Sequence, residues 1–214
     1  MAEVLAYHVI CCTHGFWLPN DPRGSQSTVV RAPNLQSFGP ATSTGERDSV
    51  AHRPHDAANR RRAKQELVYP EVVFEGRQAL SVAQGFAAMT AKSSYVIHAC
   101  AILPSHVHLV IARHHYAIEQ VVRLLRQEAT KQLLTDGRHP FAAQRSSAGR
   151  LPSVWAQDFW KVFLFTAEEI RQKITYVEEN PVKEGKRRQH WPFITPFDPP
   201  VSDASQRRCD NDPG

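Results

Sequence analysis

Cysteine is scarce in this chain of 214 residues. Cys11, Cys12, Cys100 and Cys209 form no CxxC pair, which argues against a disulfide framework and a Cys-type zinc site. Cys11, Cys12 and Cys100 read as small core residues. No apolar run approaches the length that spans a bilayer, so no membrane partner is expected. The first residues lack the basic-then-apolar order of a secretory leader, and a cytoplasmic location is the expectation. Acidic groups are in deficit, 21 against 26 Lys and Arg, for a net charge of +5. That balance favours a polyanionic partner. No internal repeat is visible.

What is present suffices for a core, since 42% of residues are hydrophobic. The length suits one domain over residues 1–200, with a variable insertion at about 25–70 and a flexible tail over 201–214. The insertion is rich in Ser, Thr, Pro, Gly, His and Arg and reads as a long loop. Its cluster Arg60-Arg61-Arg62-Ala63-Lys64 is either a solvated patch or a phosphate contact.

The local patterns predict a first strand over Tyr7–Thr13 and a helix over Gly76–Lys92 with Leu80, Ala83, Ala87 and Ala91 at helical spacing. Strands follow over Tyr95–Ile102 and His106–Ala112, antiparallel because their connection is short. An amphipathic helix over Ile118–Leu134 buries Ile118, Val121, Val122, Leu125 and Ala129 and turns Arg123, Arg126 and Lys131 outward. Val154–Phe165 reads as a fourth strand with a turn or bulge inside. Thr166 and Glu169 form a capping box for a last helix, stopped near Asn180 by Pro181. The order β-α-β-β-α-β-α is α+β: a ferredoxin-like split βαβ antiparallel sheet with an added C-terminal helix.

The chemistry concentrates in two elements. Alternation along the third strand puts His106, His108 and Val110 on one face and Val107, Leu109 and Ile111 on the other. Two imidazoles so spaced can close on one metal ion. On the last helix, Ile170, Ile174 and Val177 form an apolar stripe, and Tyr176 and Asn180 stack one turn apart at its margin. Asn180 can offer a metal its carbonyl oxygen, and Tyr176 can present a phenol to whatever binds there. Taken singly, each of these residues is more simply a packed core or surface group. Their order along one chain is what argues for a site.

His106-Val107-His108 within LPSHVHLV, followed by Tyr176-Val177-Glu178-Glu179-Asn180-Pro181-Val182-Lys183, resembles the single-tyrosine HUH transposases. Within them it is most similar to the REP-associated tyrosine transposases and transposase-like proteins. The segment WLPNDPRGS after the first strand also resembles that branch. The resemblance runs from about Tyr7 to Lys183, apart from 25–70. It implies His106, His108 and Asn180 as metal ligands, Tyr176 as nucleophile, and single-stranded or hairpin DNA as partner. Ser105 stands where the family has Asn, Asn20 stands where Gly is expected, and the match fades after Lys183.

A phosphodiester repels nucleophiles, and a divalent cation on a non-bridging oxygen offsets that charge. Imidazole ligands suit Mn²⁺ at least as well as Mg²⁺. Attack by the phenol leaves a 5′-phosphotyrosine and a free 3′-OH, and reversal joins strands without ATP. Arg123, Arg126, Lys131, Lys173 and Lys183 are candidate phosphate contacts, and Phe16, Trp17, Trp155 and Trp160 are candidate base stackers, most of them more simply core. A monomer or a homodimer fits equally. The rival readings are a domesticated, non-catalytic binder of DNA or RNA hairpins and a hydrolytic metalloenzyme that does not use the tyrosine.

Overall fold

The computed structural model describes residues 3–21, 29–41, 54–146 and 148–198. The expected tail over 201–214, with Cys209, lies outside them.

β-branched and aromatic residues form four strands: β1 (Ala6–Cys12), β2 (Ile97–Ile102), β3 (His106–Ala112) and β4 (Trp160–Leu164). They pair antiparallel throughout in the order β2-β3-β1-β4. This is the α+β arrangement expected, with the helices α2 (Gly76–Ser93) and α3 (Ile118–Thr135) on one face. Val9, Cys11, Val107, Leu109 and Ile111 point into that layer and meet Phe86, Val122 and Leu125 in the main core. Helix α4 (Ala167–Lys183) covers the opposite face, where Ala99, Ala101, Val110 and Leu164 meet Ile170 and Val177.

Helix α2 has the expected bounds, and Ala83 is buried as expected, but the rest of the stripe is rotated. Val82, Gly85, Phe86 and Met89 pack inward with it, whereas Leu80 is 47% exposed, Ala87 half-buried and Ala91 exposed. The larger apolar side chains set the rotation because they bury more area. Gly85 lets α2 approach α3 closely, since a Cβ there would lie 2.5 Å from Ala129 Cα.

The insertion is only partly loop. It holds a 3-10 helix (Pro33–Phe38) and helix α1 (Ala57–Gln65), which share a small core of Leu18, Leu35 and Ala63. Asp56 caps α1 by accepting from Asn59 N at 2.8 Å. The basic cluster is therefore carried by α1, spread around the helix on either side of the buried Ala63. Arg60 donates to the buried Asp21 carboxylate at 3.2 Å, and Lys64 pairs with Glu71. Asn20 sits at φ 61°, a left-handed conformation that Asn tolerates better than most residues, so its place in a glycine position is accommodated.

The fourth strand is shorter than its apolar run. Trp155 bridges Thr13 on its own, the strand pairing is interrupted over residues 156–159, and β4 starts at Trp160. Trp155 is instead a core residue whose Nε1 donates to Arg126 O and Thr130 Oγ1.

Pro181 lies inside α4 rather than ending it. A proline this close to a helix end removes one N–H, and the bonds beyond it survive. Glu184 N reaches Asn180 O at 3.2 Å and Lys186 N reaches Pro181 O at 2.8 Å. Pro181 itself is buried, which offsets the lost bond.

After α4 the chain turns back along β2. The Gln189 amide bonds both Ile102 N and Ile102 O at 2.7 Å. Thr195 N then donates to Ile97 O at 2.9 Å. On β4 and just past its end, Phe163 is 40% and Phe165 36% exposed. Among the described residues, no helix is long and apolar enough to cross a membrane.

Candidate active site

The site forms where α4 lies over β2 and β3, with His8 of the adjoining β1 within reach of Tyr176. Strand alternation turns His106 and His108 to that side as expected, and Val110 packs beneath α4. The ring centroids of His106 and His108 lie 4.9 Å apart at 75°. His106 sits at the rim: Phe16 packs on it at 5.4 Å, Ser105 Oγ is 3.3 Å from its Nδ1, and Glu184 Oε1 is 3.9 Å from its Nε2. His108 is deep, 3% exposed.

The capping box on Thr166 and Glu169 fixes the start of α4. Ten residues further on, the helix places Tyr176 half-buried over the imidazoles, its ring 5.7 Å from that of His108 in an edge contact. One turn on, Asn180 is buried and its Nδ2 lies 3.2 Å from His108 Nε2. The four residues picked out in β3 and α4 therefore meet in space. Lys173 and Lys183 join them, with Nζ 5.4 Å and 5.2 Å from the centre of the Tyr176 ring. Lys183 also pairs with Glu179 at 3.3 Å.

The other basic candidates lie elsewhere. Arg123, Arg126 and Lys131 belong to α3, on the far face of the sheet. Arg126 donates to the carbonyls of Ala156 and Gln157 and lies over the Trp155 ring. Lys131 pairs with Glu128 at 3.2 Å, while Arg123 is exposed beside a groove lined by Val122, Trp155 and Phe159. Phe16 and Trp155 are buried, and Trp17 is half-buried. Trp160 is different: it pairs with Ile10, which pairs with His108, so it stands half-buried on the same sheet face as the imidazoles. His98, on the neighbouring strand β2, lies with its Nδ1 2.9 Å from Thr195 O.

His8 is the site residue that local sequence patterns do not single out. It lies on β1, is 4% exposed, and brings its Nε2 to 3.1 Å from His108 Nδ1. Its ring is also 5.8 Å from that of Tyr176. Alternation in β1 puts His8, Ile10 and Cys12 on one face, but only knowledge that β1 lies beside β3 shows that this is the His108 face. Glu184 is likewise invisible until the helix is seen to continue past Pro181.

Burial keeps His8 and His108 neutral. It pushes His8 down to about 3, with the Lys173 ammonium adding to the effect. His108 is held well below the usual imidazole range, first by burial and then by His106, His8 and Lys173. Neutral imidazoles have the lone pairs that a metal needs.

The donor chemistry fits a divalent ion: two imidazoles and an amide that presents Oδ1 by turning over. Among the described residues, no three His, Cys, Asp or Glu side chains form a ready metal cluster. The candidate set is thus His106, His108 and the Asn180 amide, with His8 behind His108.

No known protein-family description and no curated protein sequence matches the chain. Solved structures do. One is a REP-associated tyrosine transposase bound to a REP hairpin, at 13% identity and a TM-score of 0.45, covering 90% of this chain and 78% of that one. Another is a candidate transposase from Deinococcus radiodurans R1, at 12% identity and a TM-score of 0.40, covering 88% and 95%. Both scores are below 0.5, so the functional reading stands on this chain's own side chains.

Proposed function

We propose that this chain is a tyrosine transesterase of the REP-associated transposase kind, which cuts and rejoins single-stranded or hairpin DNA. The observation that carries the reading is the position of Tyr176: a half-buried phenol over His108, one helical turn from Asn180, between two lysines. A packing tyrosine has no need of two ammonium groups and a polar floor.

His106, His108 and Asn180 would hold Mg²⁺ or Mn²⁺. The ion, when bound, supplies positive charge to a non-bridging phosphate oxygen. Asn180 contributes its carbonyl from a buried helix position, which limits the rotamers it must search. Lys173 and Lys183 draw the phosphate toward the phenol. Tyr176 Oη then bonds to phosphorus, the bond from phosphorus to the 3′ oxygen breaks, and that oxygen leaves as a 3′-OH after taking a proton. The 5′ side stays on the enzyme as phosphotyrosine. Attack by another 3′-OH reverses the step and joins strands. An in-line approach needs a backbone free of duplex geometry, which favours single-stranded segments and hairpin flanks.

The test is a denaturing gel of end-labelled hairpin DNA incubated with the protein and Mn²⁺ or Mg²⁺, with Tyr176→Phe alongside. A slow-migrating adduct is expected with the natural chain and absent from the variant. An adduct that survives Tyr176→Phe removes Tyr176 as nucleophile. Tight binding with no adduct, over several hairpins, moves the reading to a non-catalytic hairpin binder.

A further inference from the structure

We propose that His8 is a positioning residue: it accepts the Nδ1–H of His108 and so holds the Nε2 lone pair of His108 toward Asn180 and the metal site. The inference rests on the reading of His106, His108 and Asn180 as the metal donors, and deepens it.

A neutral imidazole has one N–H and one lone pair, so the partner of one nitrogen decides the chemistry of the other. His108 has a partner at each. Its Nδ1 is 3.1 Å from His8 Nε2, and its Nε2 is 3.2 Å from Asn180 Nδ2. An Asn180 N–H can bond only a lone pair at Nε2. The proton of His108 then sits on Nδ1, and His8 Nε2 must accept it. An ion at Nε2 demands the same tautomer, with Asn180 turned over to offer its oxygen.

His8 is well placed for this task and poorly placed to be a ligand. Its Nε2 addresses His108 rather than the space between His106 and Asn180, and the two rings are parallel within 7° with their centroids 5.3 Å apart. That separation is close to the N···N distance plus the two ring radii, so the bond lies near the planes of both rings, where lone pair and N–H are directed. His8 is held in a central strand, with Val110 and Val162 as its register neighbours. At 4% exposure, it stands where solvent has little access to supply a substitute acceptor. Neutral acceptors behind a ligating histidine fix its tautomer and orientation in this way.

Two readouts on the full chain test the proposal. Mn²⁺ affinity is measured by titration calorimetry or by loss of the free-ion EPR signal. The tautomer of His108 is read in metal-free protein by ¹⁵N NMR of the imidazole. Outer-shell losses typically weaken metal binding about 10–100-fold, and that is the fall expected for His8→Phe. His8→Gln, whose Oε1 falls near the position of Nε2 and also accepts, should stay within about threefold of the natural chain if the acceptor is what matters. His108 should carry its proton on Nδ1 in the natural chain and in His8→Gln, and shift toward Nε2–H in His8→Phe. His8→Leu carries the same expectation should a phenyl ring strain the packing under Tyr176.

Unchanged Mn²⁺ affinity and an unchanged His108 tautomer in the Phe and Leu variants overturn the proposal. So does a His8→Gln protein that falls as far as His8→Phe, since then a ring rather than an acceptor is required. Equal Mn²⁺ affinity in the natural chain and His106→Ala defeats the metal reading instead, and with it the proposed orientation toward a metal. The tautomer comparison still judges the His8–His108 bond by itself.

Discussion

Tyr176 and the three imidazoles show how much a side chain's meaning depends on its neighbours. His8 and His108 are disfavoured as cations in the fold, so protonation opposes folding. Each has a folded pKa below its unfolded value near 6.5. Metal-free protein is therefore expected to keep full stability from these groups above about pH 6.5 and to lose it as pH falls, at up to about 1.4 kcal/mol per pH unit per histidine. For His8 the loss continues until about pH 3. Denaturant midpoints measured from pH 7.5 to 5 would check this, and a flat profile would mean that the imidazoles are solvated. His106, His108, Tyr176 and Asn180 are legible in the sequence because each follows from a local period, two in a strand and 3.6 in a helix. His8 is not, because its partner lies 100 residues away and meets it only when β1 enters the sheet beside β3.

Elements carry the next set of consequences. Helix α4 delivers both Tyr176 and Asn180, so its start matters to the site. Thr166 accepts from Glu169 N at 3.1 Å, and Thr166→Ala should cost about 1 kcal/mol of stability, seen in a thermal or denaturant melt. Gly85 sits where α2 crosses α3. A methyl there meets Ala129 backbone at 2.5 Å, so Gly85→Ala should destabilise by about 1–3 kcal/mol despite better helix propensity. A stability gain in the same melt would show that the helices can part freely. The strand and helix periods locate α3 and β3 closely in sequence. They miss α1 because its composition is polar and the helix itself contributes just Ala63 to the small core it shares with Leu18 and Leu35. They lengthen β4 because Val154 and Trp155 are apolar for the sake of α3, not of the sheet.

For the whole molecule, the sheet divides two populations of basic residues. Lys173 and Lys183 stand with Tyr176, while Arg126 holds the far face together through Trp155 and the Ala156 carbonyl. Replacing either lysine with Ala should weaken hairpin binding and reduce the salt slope by about one unit, read by fluorescence anisotropy across salt concentrations. Arg126→Ala should instead lower the melting temperature and leave the slope alone. Tyr176 stands over the histidines of its own chain. Mixing Tyr176→Phe with His106→Ala should therefore restore no DNA adduct, and recovery of adduct would mean that α4 exchanges between subunits.

The strip from Gln189 to Thr195 lies against the outer strand of the sheet and bonds the Ile102 N–H and carbonyl and the Ile97 carbonyl. A chain cut ahead of Gln189 would retain every residue of the candidate site and still be a poor protein to handle. It would carry a second bare margin beside the aromatic one at Phe163 and Phe165. Open margins recruit one another. The damage from such a cut would be met first as insoluble material at expression, long before any chemistry was assayed, and a fusion partner intended to spare the site belongs beyond Thr195.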